Sequence, residues 1–201
     1  MRGYASLMLD GTAGEVSPQV KDMAQKILIS GDRVLSLISQ FLDRSKLELG
    51  QISYTITEFD AENMVNGLVD EFAWHAQHQN LELQKEIDFP HLQVRADEQK
   101  LREVTGNIID NAIKYTKEGR VTVRLEKRNG KACISVSDTG QGIDSKDIPD
   151  LFKKFSRADY GSMNMLGSGL GLYLAKTFLE GMGGSIRAES RGTGKGSRFI
   201  I

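Results

Sequence analysis

The sequence predicts an α+β protein, a two-layer α/β sandwich preceded by a helical hairpin. Three observations point there. A helical pattern runs from Ser17 to Leu49 without internal proline. Beyond residue 50, stretches of helical period alternate with stretches of period two. Asn129-Gly130, flanked by alternating segments, carries the signature of a β-hairpin turn. The change of pattern sets the expected domains at 1–50 and 51–201.

The elements follow in order. Tyr4, Leu7 and Met8 read as the end of a helix, and Asp10–Gly14 as the turn after it. Ser17 can cap the next helix, with Pro18 in its first turn, where a missing N–H costs nothing. Val20, Ala24, Ile27, Val34, Ile38 and Phe41 form one apolar stripe; Leu28, Leu35, Leu42 and Leu49 form a second, seven residues apart. Two adjoining stripes make a face wider than a two-stranded seam needs, so a dimeric four-helix bundle is expected. Asp60–Gln79 is predicted helical, with Met64, Val65, Leu68, Val69, Phe72 and Ala76 on one side. Leu81–Asp88 and Leu92–Ala96 read as strands. Asp97–Tyr115 is a helix capped by Asp97, with Leu101, Val104, Ile108, Ala112 and Tyr115 inward. Arg120–Lys127 and Lys131–Asp138 form the hairpin. A helix near Leu170–Gly181 and strands at Ser185–Ser190 and Ser197–Ile201 complete the chain. The expected sandwich sets antiparallel strands on one side and helices on the other.

Composition narrows the function classes. Lys+Arg 26 against Asp+Glu 27 leaves a net charge of −1, which offers no basic stripe for nucleic acid. No apolar run approaches the roughly 18 residues a membrane span needs, and Met1–Asp10 does not have the pattern of a signal peptide. The single cysteine, Cys133, excludes an internal disulfide and reads as core. The expected setting is cytoplasmic, with attachment of the parent protein to a membrane left open.

Four features bear on chemistry. Asn107 and Asn111 lie four apart on the predicted helix, hence one above the other, with Lys114 further along the same side. An asparagine carbonyl is a hard oxygen ligand suited to Mg²⁺, and a lysine beside it can neutralise phosphate; the alternative is a solvated face. Asp138-Thr139-Gly140-Gln141-Gly142-Ile143 follows a predicted strand, where an aspartate can accept from an exocyclic amine and glycines admit a flat ligand. Gly167-Ser168-Gly169-Leu170-Gly171-Leu172 leads into a helix whose first N–H groups can bind phosphates, though no Gly-Lys-Ser/Thr triplet makes it a Walker A loop. Between them, Leu151-Phe152-Lys153-Lys154-Phe155-Ser156-Arg157 reads either as the root of a mobile lid with cations for anionic oxygens or as a surface loop.

In this order, Asn-x-x-x-Asn-Ala-x-Lys-Tyr, Asp-x-Gly-x-Gly, Phe-x-x-Phe and Gly-x-Gly-x-Gly resemble the ATP-binding domain of sensor histidine kinases. Gly194-Lys195-Gly196-Ser197-Arg198-Phe199 extends the resemblance, which covers residues from about Asp60 to Ile201. It implies a Bergerat-type ATP-binding fold and Mg²⁺ held by Asn111. Asn107, Lys114 and Tyr115 are then near phosphates and ribose, and Asp138 reads the adenine amine, with Gly140 and Gly142 shaping its pocket. Arg157 and Lys114 are the implied catalytic cations, Arg157 meeting the γ-phosphate. Gly167, Gly169 and Gly171 hinge the lid, and Ile143, Phe152, Ser168, Leu170, Leu172 and Ser197 complete the implied ATP contacts.

Met1–Leu49 is similar to that family's dimerisation and phosphoacceptor hairpin, which implies a homodimer and a response regulator receiver domain as partners. The chain departs from the pattern in one respect: no His-Glu/Asp-x-Arg-Thr-Pro box precedes Arg2-Gly3-Tyr4, so this chain alone is expected to bind ATP without phosphorylating itself. His75 and His78, three apart on a helix, read as surface or packing residues rather than a metal pair, and His91 as a turn residue. The alternatives are a hydrolytic ATPase of the gyrase and chaperone kind, an anti-sigma-like serine kinase, and a non-catalytic nucleotide-sensing dimer. The hydrolytic relatives carry a glutamate four residues before the magnesium asparagine, where this chain has Asn107.

Overall fold

The computed structural model describes residues 2–9, 11, 12, 14, 16–28, 31, 52–154 and 170–201. Two units separate, Met1–Ile52 and Ser53–Ile201. In the first, α1 spans Arg2–Leu9 and α2 covers residues 18–28. Ser17 caps α2 through its Oγ, which accepts from the Val20 N–H at 3.4 Å. Ala5 and Ala24 are buried, while Tyr4, Met23 and Ile27 are exposed. The rest of the expected long helix lies outside the described residues.

The second unit holds the sandwich. Its elements are β1 (Thr57–Asp60), α3 (Ala61–His78), β2 (Leu81–Ile87), β3 (Gln93–Ala96), α4 (Glu98–Lys114), β4 (Gly119–Arg128), β5 (Lys131–Asp138), α5 (Gly171–Gly181), β6 (Arg187–Ser190) and β7 (Ser197–Ile200). Five strands form one sheet in the order β2-β4-β5-β7-β6. The hairpin turn falls where expected, with Asn129 at φ 51° and Gly130 at φ 79°, the left-handed pair such a two-residue loop requires.

Two expectations about strands are corrected. The sheet is mixed, because β2 pairs with β4 in parallel, Leu83 opposite Val121 and Ile87 opposite Leu125. Between them the chain crosses over through α4, and a helical crossover returns the next strand in the same direction. β3 does not join this sheet. It pairs antiparallel with β1, a strand that the sequence reading left unassigned. Four residues without alternating apolar character gave β1 no signal of its own.

Strand residues Val121, Val123, Leu125, Ile134 and Val136 make one wall of the core. Met64, Val65 and Leu68 from α3, Val104, Ile108 and Ile109 from α4, and Leu174 and Phe178 from α5 make the other. α4 is the central helix, which explains why Ile109 and Ile113 are buried as well as the expected Val104, Ile108 and Ala112. Leu101 and Tyr115, expected inward, are only half-buried, as is Phe72 on α3. β5 is central too, so Cys133 and Ser135 on its outer side are also covered.

Candidate nucleotide site

The site forms where the C-terminal end of α4 meets the loop after β5. Tyr115 caps α4, and its carbonyl accepts from the Gln141 N–H at 3.1 Å. Gly140 packs directly behind. A Cβ there would lie 2.4 Å from the Tyr115 carbonyl oxygen and 2.7 Å from Thr116 Oγ1, so only glycine permits this approach. Gly142 sits at φ 69°, and a Cβ on it would meet the Gly192 carbonyl at 2.1 Å.

Asp138, the last residue of β5, is fixed by three donors. Its Oδ1 accepts from the N–H groups of Gly140 at 2.8 Å and Ser197 at 3.2 Å. Its Oδ2 accepts from Ser197 Oγ. A carboxylate offers about four lone-pair positions, so one on Oδ2 remains for a ligand donor, and the half-buried side chain keeps it accessible. Ser197 stands opposite Asp138 in the β5–β7 register, which is how strand pairing joins two motifs far apart in sequence.

Two residues that the sequence reading missed hold this loop. Thr116 is buried and donates through Oγ1 to the Ala112 carbonyl at 2.7 Å. Ser190 Oγ donates to the Gly196 carbonyl at 2.7 Å and accepts from the Ile143 N–H at 3.0 Å. The glycines at 192, 194 and 196 marked a turn here, but nothing in sequence tied that turn to Ile143, which is buried.

One α4 turn before Asn111, Asn107 lies against the start of α5. The space for a Cβ on Gly171 is 2.8 Å from Asn107 Oδ1 and 2.9 Å from Nδ2. Asn107 Nδ2 is buried and has no hydrogen-bond partner among the described residues. Such a donor suits an acceptor oxygen from a ligand, because an unmet buried N–H costs about 1–3 kcal/mol. Asn111 and Lys114 are half-buried on the same side, and the Lys114 ammonium stands 5.3 Å from the Tyr115 ring centroid. Burial, then the charge of Asp110, raises the Tyr115 hydroxyl above its ordinary pKa, keeping it a neutral donor. An amide oxygen at Asn111, a lysine and an unmet amide N–H fit a magnesium–phosphate group.

Leu170 is buried at the start of α5, with Leu172 half-buried. Phe152 packs edge-on against Phe199, ring centroids 6.4 Å apart. Lys153 pairs with Asp150 and Lys154 stands over the Tyr173 ring, so both cations have protein partners. Arg157, Gly167, Ser168 and Gly169, like Phe155 and the rest of the expected lid, lie outside the described residues.

Other polar clusters surround the site. On the open face of the sheet a pocket of about 270 Å³ is lined by Arg120, Arg124, Arg198 and Glu86, and Asp138 and Thr139 also border it. Arg124 pairs with Asp88 and Arg198 with Glu126, so its charges are largely balanced. His78 stacks on Trp74 and His75 meets the edge of that ring, in keeping with packing. His91, in the left-handed region at φ 53°, is more than a turn residue. Its N–H donates to Glu62 at 2.8 Å and its Nδ1 is 3.3 Å from Asp60. That trio surrounds the positive end of α3, an unfavourable place for a cation.

A helix bearing stacked amides beside a fixed carboxylate, on one side of a five-stranded sheet, defines a nucleotide-binding α/β sandwich. Residues 96–201, just over half of the chain, match the family described as histidine kinase-, DNA gyrase B-, and HSP90-like ATPase. The chain belongs to that family. It is similar to the sensor protein GacS of Pseudomonas syringae pv. syringae, 36% identical over 195 residues, covering 93% of this chain and 21% of that protein. It is also similar to the circadian input-output histidine kinase CikA of Synechococcus elongatus, 30% identical, covering 99% and 27%. The chain therefore spans about a fifth to a quarter of the length of these relatives. The crystal structure of full-length ShkA in complex with AMPPNP matches with a TM-score of 0.75 and 25% identity, covering 98% of this chain and 41% of that one. These relatives and neighbours mark the unit as a catalytic ATP-binding domain of the sensor histidine kinase type.

Proposed function

We propose that this chain binds Mg-ATP and presents its γ-phosphoryl group to a histidine of a sensor kinase dimer, for relay to an aspartate of a response regulator. Residues 51–201 are the catalytic domain in this reading and residues 1–50 the dimerisation hairpin. The observation that carries it is Asp138, a carboxylate held by three donors with one acceptor position left for an exocyclic amine. At the other end of the site, the unmet Asn107 amide and the Lys114 ammonium receive phosphate oxygens. Asn111 holds the magnesium ion, which spreads the charge of the phosphate oxygens when bound. By the family resemblance, Arg157 would meet the γ-phosphate. The hydrolytic reading lacks a base, since position 107 is an amide rather than a carboxylate.

Asn111→Ala tests the reading. Loss of the metal ligand should weaken ATP binding about ten-fold, roughly 1.4 kcal/mol, with Mg²⁺ present, and far less in a chelator. Calorimetry in both conditions reads this out. Equal losses would leave Asn111 a structural residue.

A further inference from the structure

α4 and α5 run antiparallel, and their two meeting points differ. At one, the start of α5 touches Asn107 through Gly171. At the other, the end of α5 meets the start of α4: Lys100 Nζ stands 4.1 Å from the Phe178 ring centroid, and the Asp97 N–H donates to Met182 Sδ at 3.4 Å. Into this second point runs the segment that enters the unit ahead of β1. The Thr55 N–H donates to Asp97 Oδ2 at 2.8 Å. The Tyr54 hydroxyl donates to the Thr177 carbonyl at 3.5 Å, one turn before the end of α5. The Tyr54 ring lies flush on Gly181: a Cβ there would be 2.1 Å from the hydroxyl oxygen and 2.4 Å from Cζ. The last glycine of α5 is therefore a notch filled by this tyrosine.

We propose that Tyr54 is a positioning residue for nucleotide binding, seating α5 by filling the Gly181 notch so that Gly171 stays against Asn107. The inference rests on the nucleotide reading above. α5 has 11 residues, hence about 16 Å of rigid rod, so displacement at Gly181 is felt at Gly171. Burial, ahead of the opposed charges of Lys100 and Asp97, raises the Tyr54 hydroxyl above its ordinary pKa and keeps it protonated as a donor. Anything that pulls residues 53–56 away from the unit would loosen the nucleotide helix by the same route.

The test is nucleotide affinity of the full chain, measured by calorimetry well below the melting temperature of every variant. Tyr54→Ala should weaken Mg-ATP binding about three- to ten-fold, and Tyr54→Phe, which keeps the ring in the notch, should restore most of it. Gly181→Ala expels the ring and should cost a similar factor. In the double variant the two losses should not add, because each empties the same notch. Ile56→Ala, exposed two residues along, is the control and should bind as wild type. Amide exchange should speed up at Leu172–Leu174 in Tyr54→Ala, with α3 unaffected. A lower melting temperature with unchanged affinity and exchange would make Tyr54 purely structural and overturn the proposal. If Tyr54→Ala does not fold, Gly181→Ala and Tyr54→Phe decide it on the same readings. Failure of the wild type to bind ATP would overturn the nucleotide reading instead.

Discussion

At Asp138 the two carboxylate oxygens are committed unequally. Oδ1 faces two backbone N–H groups that cannot turn away, while Oδ2 accepts from one hydroxyl and keeps an acceptor position open. Such a group prefers an amine over a carbonyl, because acceptor against acceptor leaves both unmet, at about 1–3 kcal/mol. ATP should therefore bind roughly 5- to 150-fold tighter than GTP. Asp138→Asn is predicted to keep the loop, since its amide oxygen can take the two N–H groups while Ser197 Oγ turns to accept. Its NH₂ would then face the ligand, and the ATP preference should narrow or reverse. Competition binding with the two nucleotides measures it, and a wild type indifferent to the base would refute the assignment. Asp138, Gly140 and Gly142 were legible in sequence because motif order exposed them. Thr116 and Ser190 were not, since a hydroxyl that holds a backbone turn has no pattern of its own.

For the elements, end caps are where local sequence and tertiary contact meet. Asp97 caps α4 by accepting from the Lys100 N–H at 3.0 Å and also holds Thr55. Burial alone would raise its pKa. Donation from the N–H groups of Thr55, Lys100 and Gln99, with the charge of Lys100, outweighs this and sets it below the ordinary value of 3.8. A lowered carboxyl stabilises the fold fully above its unfolded pKa and loses that stabilisation as pH falls through the folded value. Asp97→Ala should cost roughly 1–2 kcal/mol at pH 7, with the gap to wild type shrinking as the solution is acidified below 3.8. Urea midpoints across pH give the answer; a gap independent of pH would mean the charge plays no part. The cap was legible because Asp precedes an apolar-periodic run. Its second partner, 42 residues away, was not.

Across the whole molecule, the three histidines of the chain all fall between residues 75 and 91, and none in 1–50. His75 and His78 are on α3 beside Trp74, and His91 is engaged with Asp60 and Glu62. None is presented by the helical unit, so γ-labelled ATP with Mg²⁺ should leave no acid-labile, base-stable label on this chain alone. A partner bearing the histidine box should become labelled when mixed with it. Stable label on the chain by itself would overturn this.

The sequence by itself determined α3, α4, α5 and the β4–β5 hairpin, because periodicity, caps and glycine turns act over a few residues. Tertiary structure alone decided that β2 runs parallel to β4, that β3 leaves the main sheet for β1, and that Ser197 stands beside Asp138. Pairing partners are selected by which apolar faces close over the core together, and that information is spread over the chain rather than written at any one strand.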